Sequence, residues 1–512
     1  MDKKAFFIKN YQLIIILIFI ILSATLIFYH EPYRDEAQAW LIARDSQNIP
    51  DLLSKMRQEG TPPLWHLILY PLAQLDFPYY SMQIVSFIII LLAVIIFLKY
   101  SPFNWKIKAI FPFGYFVLYQ LNVIARNYGI GLLLLFIIAT LDRKKMDHKK
   151  TYLLAVILLG LTSLHGFVIA IIFGAFFIYE LIPKAKRKKF ISIAVIIIAA
   201  ISLMGVLLVS FEYDKFPIIS EYSKKISARA VINDQTVITV AKPIINAFFP
   251  IQENQIHFID NNILFSLLNN NFVFISLLGG AILILALFSI RKTKKHLARF
   301  VVCIIGLELI FWIILSGGMR HHWFIFALFI VEIWMFLNEK NSTKNKKLKT
   351  TISLKKTNKY KALLSNIVLA LLIIQVIASA IPANYEINYN FSNSKEVATK
   401  ETAFLNNCKI IATYSSAPTS SIIPYLTNHK KAYCLEYAVM CSYMIWGNTF
   451  ETCKDECALG NNLKQLEKKE NEFCLILTNE SQLKYLDSNY TLISKTNDSI
   501  IQENYYLYKY KR

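Results

Sequence analysis

The residues best equipped for chemistry stand together early in the chain, in the run His30-Glu31-Pro32-Tyr33-Arg34-Asp35-Glu36-Ala37-Gln38-Ala39-Trp40-Leu41. After Pro32, the apolar positions Ala37, Trp40, Leu41 and Ile42 follow a helical spacing. This predicts a helix lying on a membrane surface, with Asp35 and Glu36 in its first turn. Acids there can complement the positive end of the helix dipole, or one of them can act as a base. Neighbours on a helix point about 100° apart, so the two are poorly placed to flank one glycosidic bond, as hydrolysis requires. Transfer from a sugar phosphate needs only one carboxylate, to take the proton of the acceptor hydroxyl. The departing phosphate is already anionic and needs cations rather than an acid.

Candidate cations for that phosphate are Arg34, Arg126, Arg320 and His321, followed by His322. Arginine suits the role because its planar fork meets phosphate oxygens in pairs. His66 and His165 fall nearby in the expected topology. Glu59 opens a second amphipathic segment, Glu59-Gly60-Thr61-Pro62-Pro63-Leu64-Trp65-His66. Each has a plainer alternative: Arg320 to His322 can be a polar turn at the headgroups, and His165 a turn residue between two spans. The adjacent histidines do not by themselves make a metal site. Glu308 and Glu332 fall within apolar runs, where an ionisable group is costly; a structural hydrogen bond and a place on a transport pathway both fit. Glu180, near Lys184, reads as an interfacial ion pair.

The elements that must position these residues are membrane spans. The chain has 512 residues, of which 55% are hydrophobic and 17% charged, which excludes an ordinary soluble protein. Eleven apolar runs approach the length of a span: Tyr11 to Tyr29, Tyr80 to Leu98, Ala109 to Ile124, Tyr128 to Leu141, Tyr152 to Leu164, Phe167 to Ile182, Phe190 to Phe211, Phe272 to Ile290, Phe300 to Leu315, Trp323 to Leu337 and Leu363 to Ile381. Six segments on alternate sides hold 30 Lys plus Arg against four acids, including a basic loop over 338–361. Retention of basic residues in the cytoplasm then places the amino terminus inside and the carboxyl terminus outside. The net charge of +21 is therefore a matter of orientation, and nucleic acid is excluded as a partner. The first span reads as an uncleaved anchor rather than a signal, because its apolar core is long.

The expected organisation is a mainly α, polytopic helix bundle over 1–381, with a first external loop over 30–78 and another over 212–271. A small external α/β domain follows over 382–512. That last part holds six of the seven cysteines, Cys408, Cys434, Cys441, Cys453, Cys457 and Cys474. With no CxxC pair and one histidine, His429, disulfides are favoured over zinc, in any of several pairings. Strand-like runs fall at Ile410 to Tyr414, Phe473 to Leu477, Tyr490 to Ile493 and Tyr505 to Tyr510. Helix-compatible stretches fall at Ser420 to Leu426 and Leu459 to Glu472.

Three motifs in this order, Tyr33-Arg34-Asp35-Glu36-Ala37, Pro62-Pro63-Leu64 and Ala125-Arg126-Asn127-Tyr128, resemble the GT-C type membrane glycosyltransferases. The resemblance is to the family 39-like relatives of protein O-mannosyltransferases and lipid A aminoarabinose transferases, and in organisation it covers roughly residues 1 to 340. It implies a sugar donor on a polyprenyl phosphate, a lipid, glycan or protein acceptor, and contact with membrane lipids. Asp35 is then the base or the group that orients the acceptor, Glu36 its neighbour and Arg126 a donor-phosphate contact. Members often carry Lys or His directly before the Pro-Pro pair, where this chain has Thr61. No cofactor is required by the residues themselves, and a divalent cation stays open. The implied location is a bacterial cytoplasmic membrane, with the chemistry on its outer face. The rival readings are a ligase or polymerase of polyprenyl-linked glycans and a transporter or flippase.

Overall fold

A computed structural model of the chain describes residues 3–56, 59–182, 234–343, 351–445 and 456–512. Among them, seven helices are long and apolar enough to cross a membrane: Asn10–Tyr29, Ser81–Tyr100, Leu164–Leu181, Phe272–Ile290, Lys294–Ile314, Met319–Glu339 and Tyr360–Asn388. Large apolar side chains such as Ile21, Leu277 and Ile284 stay exposed on the outside of this bundle. Lipid, unlike water, accepts such a surface. The protein is a multi-pass, mainly helical membrane protein. Met319–Glu339 is 94% buried and forms the axis around which the others pack.

Two expected spans take a different form. The stretch Ala109 to Ile124 is not one helix: Trp105–Ile110 runs into a 3-10 turn at Phe111–Phe113 and a π turn at Phe116–Gln120. Pro112 lacks a backbone donor and clashes with the preceding turn. Gly114 lies so close to Gln375 that a Cβ would stand 3.3 Å from that side chain. Residues Phe116 to Ala125 are all buried, and irregular backbone is tolerated at membrane depth where protein encloses it. The expected span Tyr152 to Leu164 is the helix Lys149–Gly160, of 12 residues, whereas Tyr128–Leu141 is a helix of 14 residues over the expected bounds. The expected span Phe190 to Phe211, the Lys184 to Lys189 run and Cys453 lie outside the described residues. In the segment expected as a loop over 212–271, Asp234–Phe248 is a helix packed against Phe272–Ile290 and the axial helix.

The carboxyl-terminal part forms a six-stranded mixed sheet of order β3-β2-β1-β4-β6-β5. Its strands are β1 Ile411–Thr413, β2 Ala432–Cys434, β3 Val439–Cys441, β4 Glu472–Leu477, β5 Tyr490–Lys495 and β6 Tyr506–Lys511. The central strand β1 runs parallel to β2 and β4, and the other pairs are antiparallel. The four expected strands are present; β2 and β3 are too short to stand out in the sequence. Ser420 to Leu426 contributes only the 3-10 turn Ile423–Tyr425, whereas Glu456–Lys469 is a helix. Disulfides join Cys408 to Cys474 and Cys434 to Cys441, each with Cα atoms 5.9 Å apart.

This sheet domain is clasped to the helix that carries Asp35. The Gln38 side chain exchanges two hydrogen bonds with the Met444 backbone, at 2.8 and 3.0 Å. Ser442 bonds Asp45, and Ser394 Oγ donates to the Pro32 carbonyl at 3.1 Å. Glu503 accepts from the Arg34 backbone N–H at 3.3 Å.

Candidate active site

The first span ends at Tyr29, and Pro32 holds the chain extended before the helix Arg34–Arg44 begins. The two acids of its first turn have different fates. Glu36 is fully buried and points back, accepting from the Tyr33 backbone N–H at 3.2 Å, from Ala125 N–H at 2.6 Å and from a ring nitrogen of His30 at 3.0 Å. It caps its own helix and ties that helix to the turn before Arg126. Asp35 faces the other way, with its side chain 28% exposed. The expected angular divergence of the two carboxylates is what separates them.

Two guanidinium groups converge on one oxygen of Asp35. Arg126 and Arg320 each lie 2.7 Å from Oδ2, and the Tyr33 hydroxyl donates to the same oxygen at 3.1 Å. Arg320 also donates to the Tyr33 oxygen at 2.9 Å. Burial pushes the Asp35 carboxyl upward, but Arg126, then Arg320 and Arg34, and the Tyr33 hydroxyl outweigh it. They hold the group well below the usual carboxylate range.

Each cation comes from a different element and is aimed by it. Arg126 sits in the turn between the broken third stretch and Tyr128–Leu141, its guanidinium 5.9 Å from the Tyr128 ring. Asn127 fastens that turn by donating to the Thr162 carbonyl at 2.5 Å. Arg320 is the second residue of the axial helix. The N-terminus of that helix is capped from a distant loop, because Asp260 Oδ1 accepts from Met319 N–H at 2.6 Å. Gly318 leaves the room for this: a Cβ there would meet the Asp260 carboxylate at 2.2 Å.

In shape, though hardly in sequence, this arrangement of helices and sheet is similar to a solved structure. The crystal structure of ArnT from Cupriavidus metallidurans bound to undecaprenyl phosphate superposes with a TM-score of 0.54 over 98% of each chain, at 9% identity. The chain has an ArnT-like fold. No protein-family model matches its sequence, and no curated protein does. The ArnT-like fold bears out the expected architecture, a polytopic helix bundle with a small carboxyl-terminal α/β domain.

Around this ArnT-like core the remaining expected residues distribute unevenly. His321 lies beside the cluster, its ring 5.4 Å from Tyr128 and 5.2 Å from His165, and its Nδ1 accepts from Gly318 N–H at 3.0 Å. His66 is 3% exposed, and neither ring nitrogen is hydrogen-bonded among the described residues. Burial, and then the charge of Arg126, lower its pKa to about 3, so it is a neutral imidazole at physiological pH. The Nε2 of His165 is likewise buried and unpartnered among the described residues. Glu59 accepts from Gln38 at 2.7 Å and so belongs to the clasp. Arg34 points toward solvent and Glu503, with Nε 3.8 Å from that carboxylate.

Two acids in the spans stand apart from Asp35. Both oxygens of Glu308 are buried without a hydrogen-bond partner among the described residues. Glu332 is held by Arg299 at 2.6 and 2.9 Å and by His296 at 2.8 Å, which makes it structural. Glu180 pairs with Lys145 and Lys295. Among the described residues no group of three or more His, Cys, Asp or Glu is arranged to hold a metal ion.

Sequence reasoning singled out neither the hydroxyl of Tyr33 nor Gln38, although both lie in the run His30 to Leu41. Glu386 bonds His30 at 2.9 Å and the Tyr119 hydroxyl at 2.8 Å. An acid at the end of an apolar run was the signal for it. Asp260, 59 residues from the helix it caps, left no local signal.

Proposed function

We propose that the protein is a membrane glycosyltransferase that takes a sugar from a polyprenyl-phosphate donor and attaches it to an acceptor hydroxyl at the outer face of a bacterial cytoplasmic membrane. The observation that carries this is the meeting of Arg126, Arg320 and Asp35 at one point beside the end of the first span. Two guanidinium groups next to a partly exposed carboxylate supply what transfer from a phosphate needs: cations for the leaving group and an acceptor for one proton. The ArnT-like fold supports the reading, since the solved ArnT holds undecaprenyl phosphate.

In this mechanism the donor phosphate draws Arg126 and Arg320 toward itself. Asp35 loses part of the positive field that suppresses its basicity, so donor binding prepares the base. The acceptor oxygen attacks the anomeric carbon, and the bond from that carbon to the phosphate oxygen breaks with its electron pair going to the phosphate. Asp35 takes the hydroxyl proton. Attack opposite the leaving phosphate inverts the anomeric configuration, and a product of retained configuration would rule this course out. The buried nitrogens of His66, a neutral imidazole, and the Nε2 of His165 are suited to hydroxyls of the sugar.

The test is a panel of defined polyprenyl-phosphate sugars offered to the purified protein in lipid, with and without chelator. Asp35→Asn is expected to lower transfer by about 10²- to 10⁴-fold while the protein folds normally and still binds donor. Transfer that survives this substitution would falsify the role of Asp35.

A further inference from the structure

A buried chain of acid, histidine and acid lies behind the reactive cluster. The two ring nitrogens of His30 stand 3.0 Å from Glu36 and 2.9 Å from Glu386, and all three side chains are fully enclosed. Every other contact marks the carboxylates as acceptors. Glu36 takes the Tyr33 and Ala125 backbone N–H groups, and the Glu386 oxygen that faces His30 also takes the Tyr119 hydroxyl. The other Glu386 oxygen has no partner among the described residues to which a proton could be donated. A ring that meets a carboxylate at each nitrogen must then donate from both, which only the imidazolium does.

We propose that His30, as an imidazolium anchored on Glu386 of the last span, is a positioning residue that holds Glu36 in place and thereby fixes Asp35 against Arg126. Glu36 is the only carboxylate among the described residues that bonds both backbones in question, one residue before Arg34-Asp35-Glu36 and one residue before Arg126. Without the cation, two buried carboxylates would face each other across the ring, and Glu36 would have reason to swing away. The inference rests on the reading of Asp35 and Arg126 given above.

The titratable groups around the ring are Glu36 from the Asp35 helix, Glu386 from the last span, Glu31 beside it in the chain and the phenols of Tyr119 and Tyr33. Phe391 covers its face, with ring centroids 4.5 Å apart. Burial works against the proton, but Glu386 and then Glu36 lift the His30 pKa from 6.5 to about 10. In Glu386→Gln one of these carboxylates is gone, and His30 loses its proton at lower pH.

The experiment measures binding of undecaprenyl phosphate to the full chain in lipid from about pH 6 to about pH 9. The second ionisation of the phosphate itself, at about pH 6, acts on every variant alike, so each variant is read as the ratio of its affinity to that of wild type at the same pH. Glu386→Gln should match wild type at the acid end and lose about tenfold in affinity toward the alkaline end, and Glu386→Asp should show the same limb displaced to higher pH. If Glu386→Gln fails to fold, Glu386→Asp against wild type reads the same limb. A variant equally weak at every pH would mean plain structural damage and overturn the proposal, as would one equal to wild type throughout. Arg126→Ala serves as the control: if it leaves undecaprenyl phosphate binding intact, the site reading itself has failed, whatever the Glu386 variants do.

Discussion

Two clusters of arginine and carboxylate lie along the axial helix, Met319–Thr343. The twelve residues from Arg320 to Glu332 separate them by roughly 18 Å at 1.5 Å per residue. Around Glu332 the groups are matched. Arg299 meets both carboxylate oxygens, His296 adds a third bond, and neither Arg299 nor Glu332 has any exposed surface. Around Asp35 they are not. Two guanidinium groups share a single oxygen, and the carboxylate keeps part of its exposure. In a matched pair such as Arg299 and Glu332 both carboxylate oxygens are engaged, with the Nη1 of Arg299 left without a hydrogen bond among the described residues, and the pair serves to hold helices together. An unmatched cluster holds two positive charges close together against one carboxylate, and an anion larger than a carboxylate would satisfy it better.

Removing an arginine from each cluster should therefore produce opposite results. Arg299→Ala leaves Glu332 buried without its main partner and is expected to lower stability by about 3–5 kcal/mol, read by thermal unfolding of the purified protein in detergent. The fraction that stays folded should bind undecaprenyl phosphate as wild type does. Arg126→Ala is expected to lower kcat/KM for transfer by about 10²- to 10³-fold, with stability changed by no more than about 1 kcal/mol, since Arg320 still faces Asp35. If Arg126→Ala melts as early as Arg299→Ala, the two clusters do not differ in kind.

The contrast also explains what could be read from the sequence. The long apolar spans, four of the six strands of the sheet domain and the helix after Pro32 follow from local periodicity and composition, and these were legible. Asp35 and Arg126 could be named because each lies in a short run of unusual company. Their meeting with Arg320, across 285 residues in the case of Asp35, depends on how the axial helix is seated. That seating comes from Asp260 and Gly318, which have no periodic signature. The division of labour between Asp35 and Glu36 was half legible: helical geometry requires them to diverge, but only the packed bundle decides which one faces inward. The third apolar stretch reads as one span across Pro112, because the apolar run on either side conceals the break and the π turn that follows. For Glu332 the sequence showed a costly acid, and Arg299 gave no hint that it would turn inward to meet it.

Glu503 offers the finest test of the same contrast, because it is buried like Glu332 but unmatched like Asp35. It lies at the seam between the sheet domain and the Asp35 helix, accepting from the Arg34 backbone and from the hydroxyls of Ser392 and Ser421. Burial raises its pKa from 4.5 to about 7, against the lowering effects of Arg34 and the two serines. The folded state therefore holds the proton more tightly than the unfolded chain does. The stability it contributes is fully present below about 4.5 and is lost as pH rises through about 7. Glu31, beside Lys395, is raised to about 7 as well, again by burial first. Asp35, which is depressed, has the opposite sign but titrates below this window. Glu503→Gln fixes the neutral form, so the fall in melting temperature between about pH 4.5 and pH 7.5 should shrink by roughly half, with Glu31 supplying the rest. An unchanged slope in that variant would mean that the seam is as well matched as the Arg299 cluster, and that the Asp35 end of the molecule is not the compliant one.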